Sequence, residues 1–228
     1  MQHEFSRRLI ASQENERQRI AGELHDGLGQ NLLVIKNLAA LGVRSAQNDP
    51  AKSEQFTAIS HLASQAVGEV RQIAHALRPF ELDRLGLTKA LTWMVKPVAE
   101  SSNIRFSVEM DEVDGLFPPE FEINLYRVVQ ESLSNILKHS QATTARLQVK
   151  REPRQVRVTI QDQGRGFVVP TAASASASGG MGLTDMSERV RIMGGQFSIE
   201  SAPGAGTLLR LLIPLPAPGP GSKAQTCL

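Results

Sequence analysis

The chain has 228 residues, 41% of them hydrophobic and 21% charged, with a formal net charge of +2. That balance excludes collagen-like, mucin-like and wholly disordered chains, and the length suits one large domain or two small ones. No block of five like charges occurs and aromatics are 4%, so neither an electrostatic tail for nucleic acid nor a stacking platform for single strands is present.

The first 80 residues read as helix. Apolar side chains fall at Ile20, Leu24, Leu28, Leu32, Ile35 and Leu38, and after Asn48-Asp49-Pro50 resume at Phe56, Ile59, Leu62, Ala66, Val70, Ile73 and Leu77. Steps of three and four keep each set on one stripe. The spacing predicts a helix over about 4–46, roughly 60 Å long at 1.5 Å per residue, and a second over about 51–77, joined as an antiparallel hairpin. Two helices alone cannot enclose a core, so this hairpin, residues 1–80, is expected to dimerise into a four-helix bundle with the stripe as its core.

After Pro79 the pattern alternates. Leu87–Ser101 reads as helix, Ile104–Glu109 as a period-two strand, and Pro118-Pro119 opens a helix over Glu120–His139. Two strands follow, Ala145–Arg151 and Val156–Gln161, then an Ala/Ser-rich loop over 171–180. A helix from about Leu183 to Met193 precedes closing strands Gln196–Glu200 and Thr207–Ile213. This order, with hairpins at the end, predicts an α+β fold: an α/β sandwich over 81–214 behind the hairpin. Pro recurs at 214, 216, 218 and 220, so 215–228 is expected to be a disordered tail.

Four motifs bear chemistry. Asp162-Gln163-Gly164-Arg165-Gly166 ends a predicted strand; the glycines permit close approach of a ligand, and the carboxylate is an acceptor for an exocyclic amino group. A plain hairpin turn would also use these residues, although a D-x-G-x-G match arises by chance only about 0.05 times in such a length. Gly179-Gly180-Met181-Gly182-Leu183 precedes a helix, where free N–H groups and the positive dipole end suit an anion; a linker with ordinary capping is the plainer reading. Glu131, Asn135, Lys138 and His139 share one side of a helix. The carboxylate and amide oxygens suit Mg²⁺ and Lys138 suits phosphate, while His139 could donate to phosphate or cap local structure; a solvated face would look the same. Last, His25-Asp26 lies at the margin of the first stripe, with Gln30 four residues on. A neutral imidazole is a nucleophile, and a neighbouring carboxylate fixes its tautomer; a lone histidine there is otherwise structural.

Taken together these motifs are not coincidental. The run from Glu16 to Gln30 resembles the phosphoacceptor segment of NarX- and DesK-like sensor histidine kinases. Leu77-Arg78-Pro79 with Leu82–Leu87 is similar to that family's inter-domain segment. Glu131–His139 resembles the N box of the GHKL (Bergerat-fold) ATPases, and Asp162–Gly166 and Gly180–Leu183, followed by Met186-Ser187-Glu188-Arg189, resemble their two glycine boxes. The likeness spans about residues 8–214 in the family's order.

The resemblance implies a protein histidine kinase. His25 would take the γ-phosphoryl group of ATP, Asp26 would be its base, and Asp26 with Gln30 would help remove phosphate from the partner. Glu131 and Asn135 would serve Mg²⁺, Asn135 as the more direct ligand; Lys138 and His139 would contact phosphates. Asp162 would bind the adenine amino group in a pocket shaped by Gly164 and Gly166, and Gly180 and Gly182, with Leu183 beside them, would hinge a lid over the phosphates. The implied partners are a second copy of the chain and a response regulator with a LuxR-type helix-turn-helix output domain, with no direct nucleic-acid binding. An ATP-binding scaffold without turnover, or an ATPase acting on water or Ser, is disfavoured by the intact His25, Asp26, Asn135 and Asp162 and by the long His-bearing hairpin.

A single cysteine, Cys227, fits a reducing compartment. No apolar run approaches ~18 residues and no signal peptide is evident, so a cytoplasmic location is expected, with a membrane reached only through a parent sensor region. Only about 8 residues precede the family segment, so sensing is expected elsewhere, in a longer parent or a separate partner.

Overall fold

The computed structural model describes residues 2–46, 48–169 and 181–216. Gly180, the 171–178 loop and most of the expected Pro-rich tail lie outside them. The chain divides into two compact units, Met1–Phe80 and Glu81–Leu228.

In the first unit, α1 (Gln2–Glu23) and α2 (Gln30–Ser45) are joined by a π-helical turn, Leu24–Gly29, and run antiparallel to α3 (Pro50–Leu77). The single α-helix expected over 4–46 is therefore interrupted. Gly27 and Gly29 lie in the interruption, and low helix propensity makes departure from α geometry cheap there. Asp49 caps α3, its Oδ1 accepting from the Lys52 amide at 3.2 Å, and Pro50 supplies a preset first turn. Gly42 closes the top of the hairpin: a Cβ there would lie 2.6–2.7 Å from ring carbons of Phe56.

The stripe does not behave as one seam. The buried residues are chiefly small: Ala21, Ala39, Ala63, Val67, Val70 and Ala74. Stripe members Leu28, Ile35, Leu38, Ile59, Leu62 and Ile73 stay exposed, Leu38 at 61% and Leu62 at 64%. Small side chains let α2 and α3 approach closely, which turns the larger ones outward.

Helix α4 (Phe80–Leu85) begins on the last residue of the first unit; in the second unit it and α5 (Leu87–Glu100) precede β1 (Arg105–Met110), and α6 (Pro119–Asn135) continues into a second π turn, Ile136–Ser140. Then come β2 (Thr144–Arg151), β3 (Gln155–Asp162), α7 (Met181–Ile192), β4 (Gln196–Ser201) and β5 (Thr207–Pro214). The five strands are ordered β1-β2-β3-β5-β4. β1 is parallel to β2 and the other pairs are antiparallel; neither that parallel pair nor α4 was expected from the sequence.

Alternation decides which face is covered. Ala145, Leu147 and Val149, Val156, Val158 and Ile160, and Leu209, Leu211 and Ile213 are buried, packed in one core with Leu87, Leu91, Leu125, Val128, Val129 and Leu133. The opposite face carries ion pairs such as Arg146–Glu109 at 2.5 Å and Lys150–Asp111 at 3.2 Å. Helix α5 is fixed at its start from a distance: Asp114 Oδ1 accepts from the Thr88 amide at 2.7 Å.

Candidate functional sites

The sheet and α6 enclose a cavity of about 470 Å³. Its walls are mostly apolar: Ile136, Ile160, Leu183, Met186, Ile199 and Leu209. Asp162, at the end of β3, is its buried carboxylate, 6% exposed. Burial pushes that carboxyl above the usual range, against amide and hydroxyl donors from Gly164 and Thr207. The Gly164 amide donates to Asp162 Oδ1 at 2.8 Å.

Two glycines make this turn possible. A Cβ on Gly164 would sit 2.7 Å from Asp162 Oδ1 and would strike the Ser140 carbonyl. Gly166 has φ +58°, with the Ala202 carbonyl against the place a side chain would need. The turn is tied to the second π turn, where the Ser140 carbonyl accepts from the Arg165 amide at 2.7 Å.

Along another wall stand Glu131, Asn135 and His139, with Gly182 and Leu183 from the first turn of α7. The start of α7 passes so close to Glu131 that a Cβ on Gly182 would strike its Oε1. Lys138 is exposed and does not line the cavity. The helix widens over Ile136–Ser140, so the four residues do not share one α-helical face to the end. Among the described residues no group of three His, Cys, Asp or Glu forms a metal cluster. Two hard oxygen ligands facing a cavity suit an ion that keeps several waters and binds substrate phosphates.

A pocket of this size, largely apolar and offering one buried carboxylate, fits a flat heterocycle bearing an amino group. Ser140 and Thr207 escaped the sequence reading. Thr207 is brought to Asp162 only by the β3–β5 pairing, which joins strands separated by α7 and β4.

The second constellation lies in the first unit. His25 and Asp26 occupy the first π turn, and His25 Nδ1 is 2.9 Å from Asp26 Oδ1. Both are exposed, 58% and 73% at the side chain. The His25 ring meets Phe80, centroids 5.8 Å apart and planes tilted by 51°. Gln30 is exposed and opens α2, so its four-residue step from Asp26 is made partly through a wider turn than α geometry gives. With the Asp26 carboxylate as acceptor the tautomer carries its proton on Nδ1, and Nε2 keeps the lone pair.

Comparisons with known proteins agree with this division. Residues 16–82 match a family described as "Histidine kinase". Residues 120–217 match "Histidine kinase-, DNA gyrase B-, and HSP90-like ATPase". The chain is 34% identical over 222 residues to the sensor histidine kinase MctS of Rhizobium johnstonii, covering 96% of this chain and 47% of that protein. It is 32% identical over 214 residues to the signal transduction histidine-protein kinase/phosphatase DegS of Brevibacillus brevis, covering 92% of this chain and 54% of that protein. The chain thus spans about half the length of these curated relatives. The fold is shared with the histidine kinase domain of a blue-light activated histidine kinase from Erythrobacter litoralis, at TM-score 0.52 and 21% identity, over 82% of this chain and 94% of that one.

Proposed function

From the histidine kinase match over residues 16–82 and the match over 120–217 to the ATPase family shared with DNA gyrase B and HSP90, we propose that the chain is the core of a two-component sensor kinase that phosphorylates His25 from ATP and passes the phosphoryl group to an aspartate of a response regulator. The observation that carries this reading is the apolar cavity with a single buried carboxylate, Asp162, and the Glu131–Asn135 pair on another wall.

In the ATP complex Asp162 accepts from the adenine amino group, and Gly164 and Gly166 let the base approach. Glu131 and Asn135 would hold Mg²⁺, Asn135 as the more direct ligand, and His139 and Lys138 would contact phosphates. Gly182 lets the start of α7 lie against Glu131 beside Leu183. Bound Mg²⁺ supplies charge neutralisation on the phosphates.

His25 Nε2 attacks the γ-phosphorus. An N–P bond forms, the bond from γ-phosphorus to the bridging oxygen breaks, and ADP leaves with that electron pair. Positive charge develops on the imidazole, and the Nδ1 proton moves to Asp26. Transfer to the regulator reverses the bond order at Nε2: N–P breaks and a carboxylate oxygen of the regulator takes the phosphoryl group. For the opposite reaction, Gln30 orients a water against the phosphorylated regulator, since an amide both donates and accepts without taking a proton.

The outward Leu28, Leu38, Leu62 and Ile73 of the hairpin support a homodimer in which a second hairpin completes a four-helix bundle. The resemblance to NarX- and DesK-like kinases supports a regulator with a LuxR-type output domain. None of the described helices is long and apolar enough to cross a membrane.

Incubating the protein with γ-labelled ATP and Mg²⁺ tests the reading. The expected product carries acid-labile, base-stable label. Nucleotide binding without label would make the chain a scaffold, and acid-stable label would make it a hydroxyl kinase.

A further inference from the structure

Phe80 is a large apolar residue that is not spent on a core. Helix α3 ends at Leu77, Arg78 is extended at φ −138° and ψ 120°, and Pro79 is buried. A residue before proline is held out of α geometry, so the chain bends there. The bend delivers the Phe80 ring, itself half-buried, to the imidazole of His25. The separation of 5.8 Å and the tilt of 51° lie within the range of favourable aromatic contacts.

Among the described residues the other side-chain contact of His25 is made at one atom. The Nδ1 contact with Asp26 limits rotation about the last side-chain bond, but Asp26 is exposed and has rotamer freedom of its own. A ring packed against the imidazole limits the remaining freedom. In-line attack needs Nε2 held within a narrow range of distance and angle.

We infer that Phe80 is a positioning residue for phosphorylation: its aromatic ring backs the His25 imidazole and holds Nε2 in the attacking orientation. The inference rests on His25 as phosphoacceptor. It assigns to Phe80 no contact with nucleotide, so nucleotide affinity is independent of it.

The test compares Phe80→Leu with Phe80→Tyr in the whole chain. Leucine keeps apolar volume at the bend, a type of exchange that cores tolerate, but removes the flat ring; tyrosine keeps the ring. Three quantities are read: autophosphorylation at saturating ATP, KM for ATP, and the His25 ring-proton signals in histidine-labelled protein, which an adjacent aromatic ring displaces. Phe80→Leu is expected to lower kcat about tenfold with KM unchanged and to move the His25 signals. Phe80→Tyr is expected to stay within about twofold of wild type on both kinetic constants, with the signals retained. A Leu variant as fast as wild type overturns the inference, as does a Tyr variant that falls as far as Leu, or a His25 signal indifferent to both. Wild-type protein that takes no label overturns the phosphoacceptor reading first and this inference with it; labelled wild type with an unaffected Leu variant overturns this inference alone.

Discussion

In the helical unit the fully covered side chains are mostly alanine and valine, and leucines and isoleucines lie outside them. In the nucleotide-binding unit Leu87, Leu91, Leu125, Leu147, Leu211 and Ile213 are fully enclosed by one sheet face and its helices. The second unit has a finished core in one chain; the first has a seam and an unfinished face. The candidate chemistry divides the same way. Asp162 is buried where water is scarce, which suits recognition of a base, and His25 is exposed, which suits a nucleophile that must meet two different phosphoryl partners in turn.

This contrast can be broken most completely at His25. His25→Gln is expected to abolish labelling while ATP affinity and thermal stability stay at wild-type values, because an exposed helix position tolerates glutamine. Label persisting at wild-type level would move the acceptor elsewhere.

Next in size is the unfinished face. Leu38→Glu with Leu62→Glu removes two leucines from each protomer's side of the proposed bundle. At ~1.5 kcal/mol or more per buried leucine, four per dimer amount to about 6 kcal/mol, a more than thousand-fold rise in the dissociation constant. Sedimentation should show monomer, and ATP affinity should hold. A variant that stays dimeric would mean that the outward leucines serve something other than a second copy.

In the enclosed unit, Asp162→Asn is expected to separate binding from stability. The amide oxygen can still accept from Gly164, which leaves the NH₂ to face a donor of the base. Losing a charge-assisted hydrogen bond costs ~1.5–3 kcal/mol, about ten- to hundred-fold in affinity. Stability should move the other way. The folded-state carboxyl lies above its unfolded value, so its contribution is fully present below the unfolded pKa and is lost as pH rises through the folded one. At neutral pH the charged form therefore costs stability, and the nucleotide-free Asn variant should melt no lower than wild type. Titration calorimetry and melting curves read the two effects separately; unchanged affinity would leave the Asp162–Gly166 segment as a turn only.

The smallest expected change is in the forward reaction of Gln30→Ala, within a few-fold of wild type, while decay of the phosphorylated regulator slows sharply. Equal decay with wild type and variant, where wild type accelerates it, would remove Gln30 from the account.

The two units were not equally legible in the sequence. In the second, strand alternation marked the buried face and the D-x-G-x-G spacing marked the cavity floor. Thr207 stayed hidden, because a partner on β5 is known only once β3 and β5 are known to be neighbours. In the first, period 3.6 located the helices but could not say which side turned inward: alanine and leucine both fit the stripe, and closeness of approach, not hydropathy, decides between them. The π turn had left a trace. Ile20, Leu24, Leu28 and Leu32 advance by three successive fours, which outruns the α-helical period and fits a locally wider helix. At Lys138 the same effect goes unannounced, since the residues after Asn135 carry no repeat long enough to register it.

The central claim is that nucleotide held in one unit phosphorylates Nε2 of one histidine in the other. Mapping the labelled protein at neutral pH, by tryptic digestion and phosphorus NMR, tests it most directly. The account predicts a single phosphoryl group on the peptide spanning residues 20–36, the fragment between Arg19 and Lys36 that contains His25, with the resonance of an Nε2-phosphohistidine. Label on the fragments containing His61 or His75, on a hydroxyl, or at Nδ1 of His25 would contradict it.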